Sequence, residues 1–412
     1  MNPTEKKRLV WLRVLSFALS ITYLTWVPRL PEIKDHLHLT VGELGQILML
    51  VGLVGLFSSK LNSTLLIRYG SRKIVFIAAP VAVIGNLMVA SASEPILLIA
   101  GMAIASLTSF LTNTAAITQG NNIRMSSGID PQANMSAIAN IGSLFAMAFG
   151  AVLLQVLAAG PYIILMSVIS ATALVIAGIN LAPTDLHSKP VELGGAKMPW
   201  FGKGTGVFWF MVAAVFASTT AEFSVSDWGA IVSRDYFGIP GPYYLLPFVA
   251  FQSGVVSARF ATDAMGKRFG VARFVSLSTP IAATIWGVCL VITAMLGSSS
   301  PWLSLALTLF GFAVGGWGVG PMWPVFISAI NVGPYPAAIA LPRFFSTVSL
   351  AFVLGPGGLG ILANAITLPF ALVVTAGCTS VPPTNVHQPM SARPQPRYEM
   401  AQANGSIYQA GN

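Results

Sequence analysis

Long apolar runs follow one another along almost the whole chain, and they constrain its fold more than any other feature. A helix needs about 20 apolar residues to cross the hydrocarbon core of a bilayer. Runs of this length fall into two groups of six, separated by a polar stretch. They predict an all-α membrane protein with twelve transmembrane helices, the last of them the shortest. The predicted spans are 9–28, 41–59, 74–92, 95–117, 134–158, 161–182, 206–227, 242–262, 272–296, 301–329, 336–360 and 363–378.

Composition supports lipid as the main solvent. Of the 412 residues, 55% are hydrophobic and only 8% are charged, whereas an average soluble domain carries about 25% charged residues. A single very large core is no alternative, because cores split into domains beyond about 300 residues. The net charge of +9 does not indicate a nucleic-acid partner, because the cations are scattered between apolar runs.

Positive charge is unequal between the two sets of connections, and this predicts orientation. Loops rich in Lys and Arg stay in the cytoplasm. With the N-terminus inside, the outer connections hold only Arg29, Lys34 and Arg234 among the cations. We therefore expect a multi-pass protein of the cytoplasmic (inner) membrane with both termini in the cytoplasm. The first apolar run lacks a small-residue cleavage site and is read as a retained helix.

The polar stretches divide the chain into domains. Residues 1–182 are predicted to form an N-terminal six-helix bundle and residues 206–378 a C-terminal one. Residues 183–205 contain several charges with Pro and Gly, which is typical of a solvated cytoplasmic linker. Residues 379–412 are rich in Pro, Gln, Asn and Ser and are expected to be a disordered cytoplasmic tail.

Two basic loops indicate an internal repeat. Residues 68–73 read Arg-Tyr-Gly-Ser-Arg-Lys and residues 268–273 read Arg-Phe-Gly-Val-Ala-Arg, so that Arg68 and Gly70 stand 200 residues before Arg268 and Gly270. Transporters are often built from two parallel repeats with the solute site between them. The alternative interpretation is that both segments are simply positive loops on the cytoplasmic side.

These loops resemble the cytoplasmic signature Gly-x-x-x-Asp-Arg-x-Gly-Arg-Arg of the major facilitator superfamily. The first copy departs from the signature, with Ser63 at the Gly and Ile67 at the Asp, whereas the second keeps an acid at Asp263. The resemblance implies that the two loops take part in gating between the bundles. The implied gating residues are Arg68, Gly70, Arg72, Arg259, Asp263, Arg268 and Gly270.

Within that superfamily the chain is similar, over residues 10–375, to permease-like inner-membrane proteins related to fucose and other sugar permeases. Residues 26–33, 222–228 and 354–356 carry this likeness. Asn113 stands where this branch usually has Asp, and Ser136 stands where it tends to have His. The likeness implies the fold and a secondary transporter that works by alternating access, without naming the solute.

Two acidic residues near the end of the seventh span are the main candidates for chemistry. A charge at mid-bilayer costs about 2.5–3.5 kcal/mol on insertion scales, so an ionisable residue there is a functional candidate. Glu222 lies deepest, with Asp227 at the mouth of the helix. Glu222 could exchange a proton, accept hydrogen bonds from a polyol or bind a cationic solute. The structural alternative is an ion pair, for instance with Arg234.

Other polar side chains are candidates for the solute path. The amides of Asn113, Gln119, Asn140 and Gln252 can bind a solute without burying charge, although amides also hold helices together. Arg343 could attract an anionic solute, or its side chain could extend so that the guanidinium lies at the membrane surface.

The sequence favours transport over other functions. Glycines in the tenth and eleventh spans lack the context of a phosphate-binding loop, and the four histidines lie outside the spans. We therefore expect no ATP site, enzyme activity, metal or cofactor. Expected partners are the lipid bilayer, a small-molecule solute and a candidate coupling proton, for a monomeric transporter. Sugar-like metabolites and exported drugs both remain open, as does a receptor or scaffold that binds solute without transport.

Overall fold

A computed structural model describes residues 3–127, 131–183, 185, 205–323, 325–326 and 337–379, and side chains at a few positions within these ranges are left out. In this part of the chain, eleven helices are long and apolar enough to cross a membrane. They cover the first eleven predicted spans in order. The prediction of an all-α membrane protein is therefore confirmed for these spans.

The described part of the N-terminal half contains seven helices and one short 3-10 turn. After α1 the chain continues through the 3-10 turn Val27–Arg29 into a short helix, so the predicted outer connection is itself helical. The helices are α1 (Pro3–Tyr23), α2 (Leu30–His36), α3 (Val41–Tyr69), α4 (Ser71–Ala90), α5 (Pro95–Ser127), α6 (Gln132–Leu153) and α7 (Ala159–Ile179).

Where the structure describes it, the C-terminal half has a similar succession with two π-helical segments. One of them, Val232–Tyr236, extends α8, and the other, Leu354–Gly358, interrupts the eleventh span. A 3-10 turn, Tyr243–Leu245, precedes α9. The helices are α8 (Gly206–Ile231), α9 (Leu246–Phe269), α10 (Val271–Leu296), α11 (Pro301–Val319), α12 (Ala337–Val348), α13 (Ala351–Val353), α14 (Leu359–Ile366) and α15 (Leu368–Thr379).

The last two predicted spans need correction at their boundary. The break falls at Thr367, so the eleventh span continues to Ile366 instead of ending near residue 360. The final helix α15 has only 12 residues, or about 18 Å at a rise of about 1.5 Å per residue, against a hydrocarbon core of about 30 Å. Most of the predicted linker and tail lies outside the described residues.

The two halves repeat each other in their backbone. Gly70 ends α3 at φ 79° and Gly270 ends α9 at φ 82°, a conformation that glycine adopts without steric cost. The next helix begins at the following residue in both cases. Pro80 and Pro280, also 200 residues apart, lie inside α4 and α10. Since α4 packs on α5 and α7 as α10 packs on α11 and α15, the predicted parallel repeat is confirmed.

Large apolar side chains cover the outer faces of the helices. Phe57, Ile67 and Met295 are 76%, 79% and 81% exposed in the isolated chain. Contiguous apolar surface of this kind is rare on soluble monomers. The surface suits contact with lipid acyl chains.

Candidate solute site

The described contacts between the two halves gather at one end of the helices. We call this the gate end; it carries residues 27–41 and 232–245. Here α3 crosses the π segment Leu354–Gly358 and α14, and α6 meets α9 and the turn before it. The crossing is close because glycines face each other. A Cβ atom on Gly45 would lie 2.7 Å from the Cα of Gly360.

Four charged side chains join the halves at the gate end. Lys34 Nζ lies 2.9 Å from Asp235 Oδ2, and Arg234 Nη2 lies 2.8 Å from Asp35 Oδ2. Each cation also contacts the aspartate beside it in sequence. Lys34, Arg234 and Asp235 are at most 23% exposed, so the pairs are less screened than surface ion pairs. They form a network, which we call the gate network.

Arg29 occupies a different place from the gate network. Its side chain is fully buried, lies 3.0 Å from Glu32 Oε1 and stacks 4.6 Å from the centre of the Tyr162 ring. Both partners belong to the N-terminal half. Arg29 therefore fixes the turn after α1 onto α7.

The three segments that carry the sequence resemblance meet at the gate end. The indole Nε1 of fully buried Trp228 donates a hydrogen bond of 2.8 Å to the carbonyl of Pro356. This carbonyl lies in the π segment and also accepts a hydrogen bond from the backbone amide of Leu359. Arg234 also donates to the carbonyl of Pro31 at 3.4 Å. Residues 26–33, 222–228 and 354–356 are thus neighbours in space.

A chain of four aromatic rings runs between the halves. Tyr23 at the end of α1 meets Phe223 of α8 edge to face, with ring centres 6.0 Å apart. Phe223 contacts Phe352 of α13 at 4.4 Å, and Phe352 contacts Phe110 of α5 at 5.8 Å. All four side chains are half-buried, so part of each ring remains accessible. We call them the aromatic row.

The acidic candidates lie beside the aromatic row. Glu222 is half-buried and accepts a hydrogen bond of 3.2 Å from Gln252 Nε2 of α9. Asp227, expected at the mouth of the helix, is instead only 4% exposed, and its Oδ1 has no hydrogen-bond partner among the described residues. Tyr23 interacts electrostatically with both carboxyls. Within the described chain, no Lys or Arg forms an ion pair with Glu222 or Asp227, and Arg234 belongs to the gate network.

The structure separates the predicted polar residues into two groups. Asn113 is exposed one turn from Phe110 on α5, and Asn140 is half-buried on α6 with its Nδ2 unpartnered among the described residues. Gln252 has an unpartnered Oε1 as well. Arg343 is half-buried on α12. These residues stay candidates for the solute path.

Gln119 takes part in a hydrogen-bond cluster within the N-terminal half. Its Nε2 donates to Ser71 Oγ at 2.7 Å and to the carbonyl of Ala182 at 3.0 Å, and its Oε1 accepts from the amide of Ala182 at 3.1 Å. Asp185 accepts from the amide of Ser71 at 2.7 Å in the same cluster. With its amide fully occupied, Gln119 holds α4, α5 and the end of α7 together.

The residues of the two signature loops contact their own halves. Arg72 donates to the carbonyls of Gly178 and Ile179 at the end of α7, and Arg259 donates to the carbonyl of Gly320 at 3.1 Å. Arg68 and Arg268 lie over the rings of the residues that follow them. The side chain of Asp263 lies outside the described residues. Among the described residues, the ion pairs between the halves are those of the gate network, at the opposite end of the helices.

Sequence reasoning missed both the gate network and the aromatic row. The network had a detectable signal, because Lys34-Asp35 and Arg234-Asp235 are basic–acidic dipeptides 200 residues apart. This is the spacing of Gly70 and Gly270. The aromatic row had no comparable signal, because aromatic residues are common throughout the apolar runs.

Similarity to known proteins lies in the fold. A solved structure of the nucleoside transporter NupG has a TM-score of 0.68 at 16% identity, covering 93% of this chain and 98% of that one. A bacterial homologue of the human lysosomal transporter Spinster, inward-facing and unoccupied, has a TM-score of 0.72 at 12% identity, covering 93% and 96%.

Comparison of sequences adds little. No family model matches the chain. A stretch of 42 residues, 10% of the chain, is 71% identical to the flagellar L-ring protein of Dechloromonas aromatica (strain RCB), and the match spans only 19% of that protein. Nine tenths of this chain lie outside the match, so the match assigns no function to the helices. The fold of this chain is that of the solved transporters, as the resemblance to the major facilitator superfamily implied.

Proposed function

We propose that the protein is a secondary transporter of a small solute that works by alternating access. The observation that carries the proposal is the gathering of inter-half contacts at the gate end, beside a layer of half-buried aromatic and acidic side chains. Rocking one half against the other exchanges the closed end for the open one in transporters with parallel repeats. The fold shared with NupG and the Spinster homologue supports the same conclusion.

We further propose that the chain termini are cytoplasmic and that the membrane is the inner membrane. Support comes from the cations, which concentrate in the connections on the side of the termini. In this orientation the gate end faces outward. The structure then corresponds to a form closed to the outside, and the site opens toward the cytoplasm. We expect the monomer to be sufficient for this cycle.

Proton coupling is proposed to depend on Glu222. Among the described residues its carboxyl has a neutral partner in Gln252 and no cation, so it can exchange a proton without breaking an ion pair. Tyr23 is a titratable group that interacts electrostatically with both Glu222 and Asp227. A carboxyl that holds either a proton or the solute couples the two movements.

The membership of the sugar-permease-like branch remains a proposal. It is supported by the convergence of residues 26–33, 222–228 and 354–356 at the gate end. The competing function is a receptor that binds solute without moving it. Two observations favour the receptor. The signature acid of the first loop is replaced by Ile67, and the described loop arginines contact their own halves.

Counterflow in proteoliposomes tests the proposal. Vesicles loaded with unlabelled fucose, uridine or tetraphenylphosphonium are placed in a trace of the same labelled compound, and protein-free vesicles serve as the control. Transient accumulation of one label above the control supports transport. Binding of a compound to the purified protein without counterflow identifies a receptor. If none of the three compounds binds or shows counterflow, the protein is not a transporter of these solute classes.

A further inference from the structure

The candidate site combines negative charge with accessible aromatic rings. Glu222 and Asp227 lie on α8, and Phe223 of the aromatic row is the immediate neighbour of Glu222. Tyr23 interacts electrostatically with both carboxyls and touches Phe223. Carboxyls and rings therefore belong to one site.

No Lys or Arg among the described residues forms an ion pair with this site. The nearest buried cation along the chain from Tyr23 is Arg29, which is held by Glu32 and Tyr162. Lys34 and Arg234 are occupied in the gate network. A carboxylate in surroundings of low polarity attracts a cation strongly, because the interaction is weakly screened there. The same field repels an anion.

Two buried polar atoms also lack partners here. Among the described residues, Asp227 Oδ1 and Gln252 Oε1 are unpaired acceptors on side chains that are each 4% exposed. Unpartnered buried acceptors destabilise a protein. A cationic ligand beside these oxygens offsets this effect, because its positive charge interacts favourably with both acceptors.

The faces of aromatic rings bind cations as well. An ammonium or other organic cation within about 6 Å of a ring centre is attracted by the negative face of the ring. The four half-buried rings of the aromatic row offer such faces together with apolar area. They suit a solute in which a positive charge is attached to an apolar or aromatic body.

We propose that the site between Glu222 and the aromatic row binds small organic cations with an apolar body. The inference rests on the proposed transport function and names its substrate class. It gives the carboxyl of Glu222 the role of counter-ion to the solute. It gives Tyr23, Phe223 and Phe352 the role of a surface on which the apolar body lies.

Ligand-induced stabilisation of the purified protein tests the inference. The probes are tetraphenylphosphonium as a cation, uridine as a neutral ring compound and benzoate as an aromatic anion. A bound probe raises the melting temperature by mass action. We expect stabilisation by tetraphenylphosphonium, at least about tenfold weaker binding in Glu222→Gln, and unchanged binding in the exposed control Glu94→Gln. The melting temperature without probe shows whether each variant is folded.

Two outcomes overturn the inference. One is stabilisation by uridine or benzoate with none by tetraphenylphosphonium. The other is unchanged tetraphenylphosphonium binding in Glu222→Gln and in Phe223→Leu. A different result would contradict the proposed transport function: tetraphenylphosphonium binds to the wild type but shows no counterflow. Counterflow of uridine without cation binding preserves the transporter and removes the cation site.

Discussion

Lys34 and Arg234 stand 200 residues apart, and each binds the aspartate that follows the other. Lys34 pairs with Asp235 at 2.9 Å and Arg234 pairs with Asp35 at 2.8 Å. Equivalent residues of the two repeats thus make reciprocal contacts, as a two-fold axis requires of a self-complementary interface. The gate network closes the two halves with two copies of one dipeptide.

Reversal of one charge in the gate network should open the gate end. In Lys34→Asp the aspartates at positions 34 and 235 repel each other. Adding Asp235→Lys restores the ion pair with its two charges exchanged. At about 1 kcal/mol for a partly exposed pair, the single change should shift the open-to-closed ratio about fivefold. Spin labels at exposed His36 and Pro240, with Cys289 and Cys378 replaced by alanine, report the distance. Equal distance distributions in the single and double variants would contradict the role of the pair.

The crossing of α3 with α14 should tolerate no side chain at its centre. In Gly45→Ala the added methyl group meets the backbone of Gly360 at 2.7 Å, and overpacking of this kind costs about 1–3 kcal/mol. We expect a lower melting temperature and a longer His36–Pro240 label distance. Gly287→Ala is the matched control, because a Cβ there meets nothing within 4 Å. Equal melting temperatures for the two variants would disprove the close crossing.

The hydrogen bond from Trp228 to Pro356 should contribute to stability. Trp228→Phe removes this hydrogen bond, at a net cost of about 0.5–1.5 kcal/mol, and also removes ring volume. The Pro356 carbonyl keeps its other donor, the backbone amide of Leu359. Thermal unfolding in detergent should show a clear loss. Trp302→Phe, at a residue that is 62% exposed, serves as the control. A loss in the control as large as that in Trp228→Phe would contradict this account.

Substitution of Glu222 should separate coupling from exchange. Glu222→Gln removes the ionisable group but keeps the shape of the side chain and its contact with Gln252. We expect it to abolish transport driven by a pH gradient, while exchange at saturating solute continues because rocking of the halves needs no proton. Glu94→Gln, a matched change at an exposed residue, should keep both activities. Gradient-driven transport that survives in Glu222→Gln would exclude Glu222 as the coupling residue.

The sequence predicts the fold well because the bilayer imposes a fixed helix length. Eleven spans follow from apolar runs, and the turns at Gly70 and Gly270 follow from a local motif. The break at Thr367 was misplaced because apolar residues continue on both sides of it. The hydrogen bonds from Gln119 to Ser71 and Ala182 are not predictable from the sequence, because they join residues that are far apart along the chain.

The site was less predictable because it depends on contacts between distant residues. Glu222 was selected because a charge within a span is rare. Its ring neighbours Tyr23 and Phe352 lie in other spans, and nothing local distinguishes them from lipid-facing aromatics. The sequence places Asp227 at the mouth of the helix because nothing in it indicates the π-helical extension of α8.

Distances at both ends of the protein test the central claim of alternating access most directly. The gate-end pair is His36 and Pro240, and the opposite pair is Tyr69 and Phe269, which are equivalent exposed residues of the two repeats. In reconstituted protein we expect two populations, one short at the gate end and long at the other, and one with the reverse. A solute or pH change that shifts one pair should shift the other in the opposite sense. Two fixed distances, or changes in the same direction, would contradict the account.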